Sequence, residues 1–328
     1  MRIQSLEKNA LPISGELRVA GCRGSIRTNS LSVIHSLEKW RSDGIGEADF
    51  ELAVLVQPTH PVALEPPMFR GRDGVIFATF HGTDLFFFDL LSRQISAAVS
   101  EQTAGDAKFW NTVLIPIAIG VLGPMMGVAP LHSACLTSAG HGMLVAGLSG
   151  AGKSTLTIAL AKEGFALVSD DWTYARREAD DVSIYGLDVP VKLMPDTVAY
   201  FDELKTERLI RSMNGELAFE VDPLSKFGVQ VSEQCEPDCI VFLQRSMGET
   251  SITPLDQSLA RLFYERSAEL LPAGLSKASE DRQKIIEAVT KRDCWLFQYS
   301  GNPQQGASVL KNFFEETYDV HCWRASAS

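Results

Sequence analysis

Eight residues near the middle of the chain, Gly147-Leu148-Ser149-Gly150-Ala151-Gly152-Lys153-Ser154, constrain its fold more than any other stretch. They match the P-loop pattern G-x-x-x-x-G-K-[ST], a turn that works only between a strand and the N-terminus of a helix. The flanks agree. Met143-Leu144-Val145-Ala146 is apolar and strand-like, and Thr155-Leu156-Thr157-Ile158-Ala159-Leu160-Ala161-Lys162 reads as a helix. In that setting the glycines let backbone N–H groups curl around phosphates, and the positive end of the helix adds a favourable field. Lys153 can reach the outer phosphates, and the Ser154 hydroxyl can ligate a divalent cation. The expected ligands are ATP and Mg2+, with Gly147, Ser149, Gly150, Ala151, Gly152, Lys153, Ser154 and Thr155 around them.

At 328 residues the chain suggests one large or two moderate domains, with ample length for a core. A net charge of −11 argues against a nucleic-acid-binding surface, yet leaves room for a local anion site built from backbone dipoles and a few cations. The six cysteines, Cys22, Cys135, Cys235, Cys239, Cys294 and Cys322, are scattered. Cys235 and Cys239 are spaced C-x3-C without a second pair at zinc spacing, so they read as reduced thiols. The first eight residues carry no apolar signal core, and a cytoplasmic location is expected. Residues 113–131 carry no charge and are just long enough to span a bilayer. Pro116, Pro124, Pro130, Gly120, Gly123 and Gly127 interrupt them, and no basic cluster flanks them, so a buried helix followed by a loop is the better reading.

Strand-like pieces punctuate the first part of the chain: residues 51–56, 74–80 and 84–90, with a hairpin-like turn at His81-Gly82-Thr83. Pro58, Pro61, Pro66 and Pro67 mark an irregular connector before them. The run Phe86-Phe87-Phe88 reads as sheet core. Residues 1–108 are expected to form a small, mostly-β accessory domain, and 109–328 an α/β domain that a helix over 108–121 introduces. In the second domain, Leu131 to Thr137 and the glycine-turn strand are joined by the short turn 139–142 and should form an antiparallel hairpin. Further strands are expected at 165–171, 183–191, 238–244 and 294–298. Helices are expected at 196–209, 257–271, 280–291 and 307–317.

Two acids, Asp170 and Asp171, arrive after a single helix and a single short strand. A strand pairing beside the glycine-turn strand would bring them to the phosphate edge of the sheet. One carboxylate can support Mg2+ and the other can take a proton from an attacking hydroxyl. The spacing admits either assignment; the reading adopted gives Mg2+ to Ser154 and Asp170, and the hydroxyl to Asp171 with His132. His132 earns its place because it lies on the strand that hairpins onto the glycine-turn strand.

The order Leu131-His132-Ser133, the glycine octapeptide and Leu167-Val168-Ser169-Asp170-Asp171 resembles the catalytic domain of bacterial HPr kinase/phosphorylase and related serine kinases, including the lasso-peptide kinases. The resemblance covers about residues 128–195. It implies a fold of HPr kinase/phosphoenolpyruvate carboxykinase-like type, with His132, Asp170 and Asp171 as the reacting centre beside Lys153. Two departures stand out. Leu148 occupies a position where HPr kinases usually carry an acid, and Ser183-Ile184-Tyr185-Gly186 replaces their Glu-Ile-Arg-Gly run. These departures speak against HPr itself and against the reverse, phosphorylase reaction. Lys192 is a candidate substitute for the missing cation.

The expectation is therefore an ATP-dependent kinase that transfers the γ-phosphoryl group to a serine hydroxyl of a peptide, protein or small molecule. Two other classes remain beside it, an ATPase of the same fold and a non-catalytic ATP-sensing module. No nucleic-acid or membrane partner is expected, and since the family resembled is often hexameric, a homo-oligomer stays open. Thr290-Lys291-Arg292-Asp293 matches the guanine-reading pattern [NT]-K-x-D, but it follows an amphipathic helical stretch instead of an apolar strand, so a GTPase is not expected. Asp180-Asp181 reads as a solvated turn, and His81 and His141 as structural.

Overall fold

The computed structural model describes residues 10–44, 46–58, 67–72, 74–178, 181–211, 215–267 and 276–318. The protein is mixed α/β with several sheets, and it divides into two compact units: Met1–Ala129 with Glu269–Arg282, and Pro130–Ala268 with Gln283–Ser328.

The first unit is built on a seven-stranded mixed sheet of β1 (Ile13–Val19), β2 (Cys22–Thr28), β3 (Phe50–Gln57), β4 (Met68–Arg72), β5 (Val75–Phe80), β6 (Asp84–Asp89) and β7 (Gln94–Ser100), in the order β1-β2-β3-β7-β6-β5-β4. Alternation decides which of its residues are core. Phe86 and Phe88 face inward and are fully buried, while Phe87 between them is only half-buried. Phe80, Phe86, Phe109 and Trp110 then meet edge-on, with Phe80 and Phe109 at 5.2 Å and Phe86 and Trp110 at 6.3 Å. Because Phe109 and Trp110 belong to this core, the helical run Ala107–Met126 stays with the first unit, and the division falls after residue 129 instead of after 108. By length and composition that run could cross a membrane, its most apolar 18-residue window having a mean hydropathy of 1.6, and 61% of that window is buried inside the protein. The connector carrying Pro61 and Pro66 lies outside the described residues.

The second unit contains β8 (Val128–Ser138), which begins at the unit boundary, β9 (His141–Ala146), β10 (Ala166–Ser169), β11 (Trp172–Glu178), β12 (Asp181–Tyr185), β13 (Val191–Leu193), β14 (Ile210–Arg211), β15 (Leu217–Val221), β16 (Gln234–Arg245), β17 (Ser251–Pro254) and β18 (Asp293–Tyr299). The expected β8–β9 hairpin is present, with Ser133 opposite Ala146 and Ser138 opposite His141. β9 pairs in parallel with β16, and β16 in parallel with β18. β10 does not lie beside β9 as expected. It pairs antiparallel with β8, one strand further out, and so runs in the same direction as β9. The helices Lys153–Lys162 and Pro303–Thr317 cover the sheet, and Leu156, Leu160, Leu310 and Phe314 share one buried cluster with Met143, Val145, Val241 and Phe297. Each such side chain contributes roughly 1.5–3 kcal/mol on burial.

Two expected elements differ. The helix over 196–209 is two short 3-10 turns, Pro195–Ala199 and Asp202–Thr206, because Phe201 between them is extended and buried. The strand over 183–191 splits at Gly186, whose Cα lies so close to the Val168 carbonyl that an added Cβ would stand 1.6 Å from its oxygen. Beyond the break the chain enters the small sheet β13-β15-β14. The [NT]-K-x-D look-alike closes the helix Ser276–Val289, where the Thr290 hydroxyl donates to the Ile286 carbonyl at 2.8 Å.

Candidate functional site

Strand direction creates the site. β9, β10, β16 and β18 all run the same way, so their C-terminal ends share one edge of the sheet, where open α/β sheets place ligands. The glycine turn leaves β9 there, and Asp170 and Asp171 follow β10 there. Antiparallel β8 brings its early residues to the same edge, which sets His132 one position beyond the Ser133–Ala146 pair.

The turn passes directly into the helix Lys153–Lys162, whose first N–H groups have no acceptor within the helix. Leu148, Ser149 and Gly150 form its exposed crest. Gly152 precedes the helix at φ +92°, a conformation that strains any side chain. Lys153 is 8% exposed, and its Nζ donates to the Gly147 carbonyl at 3.1 Å, so the ammonium folds back over the turn. Burial lowers its pKa, while the charges of Asp171 and Asp170 act to raise it. The Thr155 hydroxyl lies 3.4 Å from that of Thr197.

The two acids have separated environments, as neighbouring residues at a strand end should. Asp170 is 8% exposed, and among the described residues neither of its carboxylate oxygens has a hydrogen-bond partner. The Ser154 hydroxyl lies near enough to favour the charged form, short of a full hydrogen bond. Burial, and then the charge of Asp171, push the Asp170 pKa up to about 7, with Ser154 and Lys153 opposing. Asp171 is half-exposed, and its Oδ1 lies 3.1 Å from His132 Nε2. Burial acts to raise its pKa, but the His132 hydrogen bond and charge, followed by Lys153 and Lys192, hold it below the usual carboxylate range. Lys192 itself pairs with Glu216 at 3.0 Å.

Lys153, Ser154, Asp170, Asp171 and His132 thus converge, and Lys192 acts on Asp171 from nearby. The histidines read as structural have local partners: His81 Nδ1 is 3.0 Å from Asp84, and His141 Nδ1 is 3.3 Å from Asp238. The five described cysteines are free, and Cys235 meets Cys135 at 3.3 Å instead of Cys239.

Sequence reasoning missed Arg245. It ends β16, the strand parallel and adjacent to β9, and its Nη2 lies 3.2 Å from where a Cβ on Gly152 would stand. Its signal in the sequence was a cation closing the apolar run Cys239-Ile240-Val241-Phe242-Leu243.

A divalent cation fits this donor set. A buried carboxylate with two unpartnered oxygens beside a serine hydroxyl is hard-oxygen chemistry. Among the described residues no three His, Cys, Asp or Glu side chains form a metal cage, and Mg2+ held jointly by one or two protein oxygens and substrate phosphates needs none.

No family model matches the sequence, and no curated protein does. Among solved structures, the HPr(Ser) kinase/phosphatase from Coxiella burnetii is similar at 17% identity and a TM-score of 0.30, over 57% of this chain and 97% of that one. At that similarity the residues of this chain have to carry the functional reading.

Proposed function

We propose that the second unit binds ATP with Mg2+ and transfers the γ-phosphoryl group to a serine-type hydroxyl of a peptide, protein or small molecule. The observation that carries this reading is Asp170: a buried carboxylate with no hydrogen-bond partner among the described residues, beside Lys153 and Ser154 at the mouth of a glycine turn. An unpartnered buried acid costs stability, and a chain keeps one where a ligand completes it.

In this reading the turn's N–H groups and the helix N-terminus cradle the phosphates, and Lys153 exchanges the Gly147 carbonyl for phosphate oxygens. Ser154 and Asp170 hold Mg2+, which neutralises charge on the phosphates. Asp171, kept ionised by His132, accepts a hydrogen bond from the acceptor hydroxyl and orients it. The hydroxyl oxygen forms its bond to the γ-phosphorus as the bond to the bridging oxygen breaks. The hydroxyl proton passes to the Asp171 carboxylate, and the ADP leaves with its new charge facing Lys153. Phosphoryl transfer asks for little beyond this positioning and charge neutralisation.

Incubation with ATP labelled in the γ-phosphate, alone and with free serine or serine peptides, tests the proposal. Label in an acceptor, lost in the Asp171→Asn variant, is the expected result. Label released only as free phosphate would make the protein an ATPase, and tight binding without turnover would make it a sensor.

A further inference from the structure

The glycine turn divides the functional edge in two. On the side of β8 and β10 stand His132, Asp170 and Asp171; on the side of β16 and β18 stand Arg245 and Tyr299. The acids belong with the outer phosphates, where the reaction would occur, so the nucleoside of a bound nucleotide has to lie toward the other half.

That half holds a column of flat groups. Phe297 and Tyr299, two residues apart on β18, stack at 5.3 Å with their planes 9° apart. The Arg245 guanidinium continues the column, its Cζ 4.4 Å from the centre of the Tyr299 ring. Two contacts hold it, the ring beneath and the Gly301 carbonyl that accepts from Nη1 at 3.0 Å, and its Nη2 lies 3.2 Å from where a Gly152 Cβ would stand. Arg245 is nonetheless exposed, whereas Tyr299 is fully buried with a hydroxyl that has no hydrogen-bond partner among the described residues and lies 3.3 Å from the position of a Gly152 Cβ. A guanidinium centred over an aromatic ring and exposed to solvent can serve as a platform for a second planar group. Fixing it in advance removes most of the side-chain entropy that binding would otherwise cost.

We infer that Arg245 is the base-stacking residue of the nucleotide site: the planar base of the bound nucleotide lies on the outer face of its guanidinium, opposite Tyr299. This rests on the nucleotide reading above and adds to it which residue meets the base, from which side of the turn.

The test compares two ligands that share a triphosphate and differ in the base. Calorimetric titrations of ATP and of inorganic tripolyphosphate, each with magnesium, are run on the full chain as wild type, Arg245→Ala, Arg245→Lys and Lys153→Ala. Loss of the stack should weaken ATP about tenfold in both Arg245 variants, because lysine keeps the charge but not the plane. Tripolyphosphate should bind the Arg245→Lys variant as it binds wild type, which also shows that the variant is folded. Lys153→Ala should weaken both ligands. Equal losses for ATP and tripolyphosphate in Arg245→Lys, or no loss for ATP, would overturn the assignment while leaving the nucleotide reading intact. Wild-type protein that takes up neither ligand would overturn both.

Discussion

Each unit buries an aspartate, and the two could hardly be treated more differently. Asp84 in the first unit is fully buried and satisfied: Oδ1 accepts the Ser100 N–H at 2.7 Å, and Oδ2 accepts the Thr103 hydroxyl at 2.5 Å with His81 Nδ1 at 3.0 Å. Asp170 in the second unit is almost as buried and lacks any partner among the described residues. Burial of a charge is therefore not the mark of a functional site in this protein. In the proposed function the mark is burial without a hydrogen-bond partner among the described residues, which leaves the carboxylate to a ligand. Asp84 holds strand and helix ends together, and in the proposed function Asp170 waits for a ligand.

The largest expected effect follows directly. Asp170→Asn should reduce phosphoryl transfer by about a thousandfold or more, read as labelled acceptor in single turnover. The same variant should melt higher than wild type without nucleotide at pH 8, because it removes an unpaired buried charge. A drop in melting temperature would show that Asp170 is as structural as Asp84, and the contrast would collapse. His132→Ala and Asp171→Asn should each cost about a hundredfold in transfer, with the double variant no worse than either alone, since the two act as one hydrogen-bonded pair. Additive losses would separate their roles.

Asp84→Ala should do the opposite of Asp170→Asn. It leaves the Ser100 N–H and the Thr103 hydroxyl buried without an acceptor and should cost about 2–4 kcal/mol in the denaturation of the first unit. The pH dependence sharpens the comparison further. The Asp170 pKa near 7 in the folded protein stands above the ordinary value of about 4, so the folded state binds this proton more tightly than the unfolded chain. Its contribution to stability is full below about pH 4 and is lost as the pH rises through about 7. Nucleotide-free wild type should lose stability over that window relative to Asp170→Asn, and parallel melting curves would contradict the burial argument. The smallest effect belongs to Lys192→Ala. It removes one of several charges that hold Asp171 down, and should lower transfer by only about threefold at neutral pH while shifting the acid limb of the rate profile upward.

The sequence made the two acids legible for unequal reasons. Asp170 was visible as a candidate because the glycine turn, a local pattern, pointed to the strand that follows its helix. Asp84 was not visible at all, because its partners come from Ser100 and Thr103 and its role depends on long-range folding. The same limit explains the elements that were missed. In Cys22-Arg23-Gly24-Ser25-Ile26-Arg27-Thr28 every second position is buried, yet two arginines and a glycine mask the alternation, and β2 is a strand because β1 and β3 flank it. β10 reads as a strand from its own residues, but its place beside β8 instead of β9 is a choice among neighbours that no local pattern encodes. Arg245 reaches the glycine turn only because β16 pairs in parallel with β9, a pairing that no residue near Gly152 announces. Local chemistry was readable, and the partners that decide what the chemistry does were not.

Titrating ATP into wild type and Asp170→Asn, each with magnesium and again with the metal chelated, tests most directly whether Asp170 is an acid kept for a ligand. Wild type should bind ATP tightly with magnesium and at least tenfold more weakly without it, and Asp170→Asn should lose most of that difference. If wild type shows no uptake of ATP, or if both proteins respond to magnesium alike, the orphaned carboxylate has no cation to hold and the proposed chemistry falls with it.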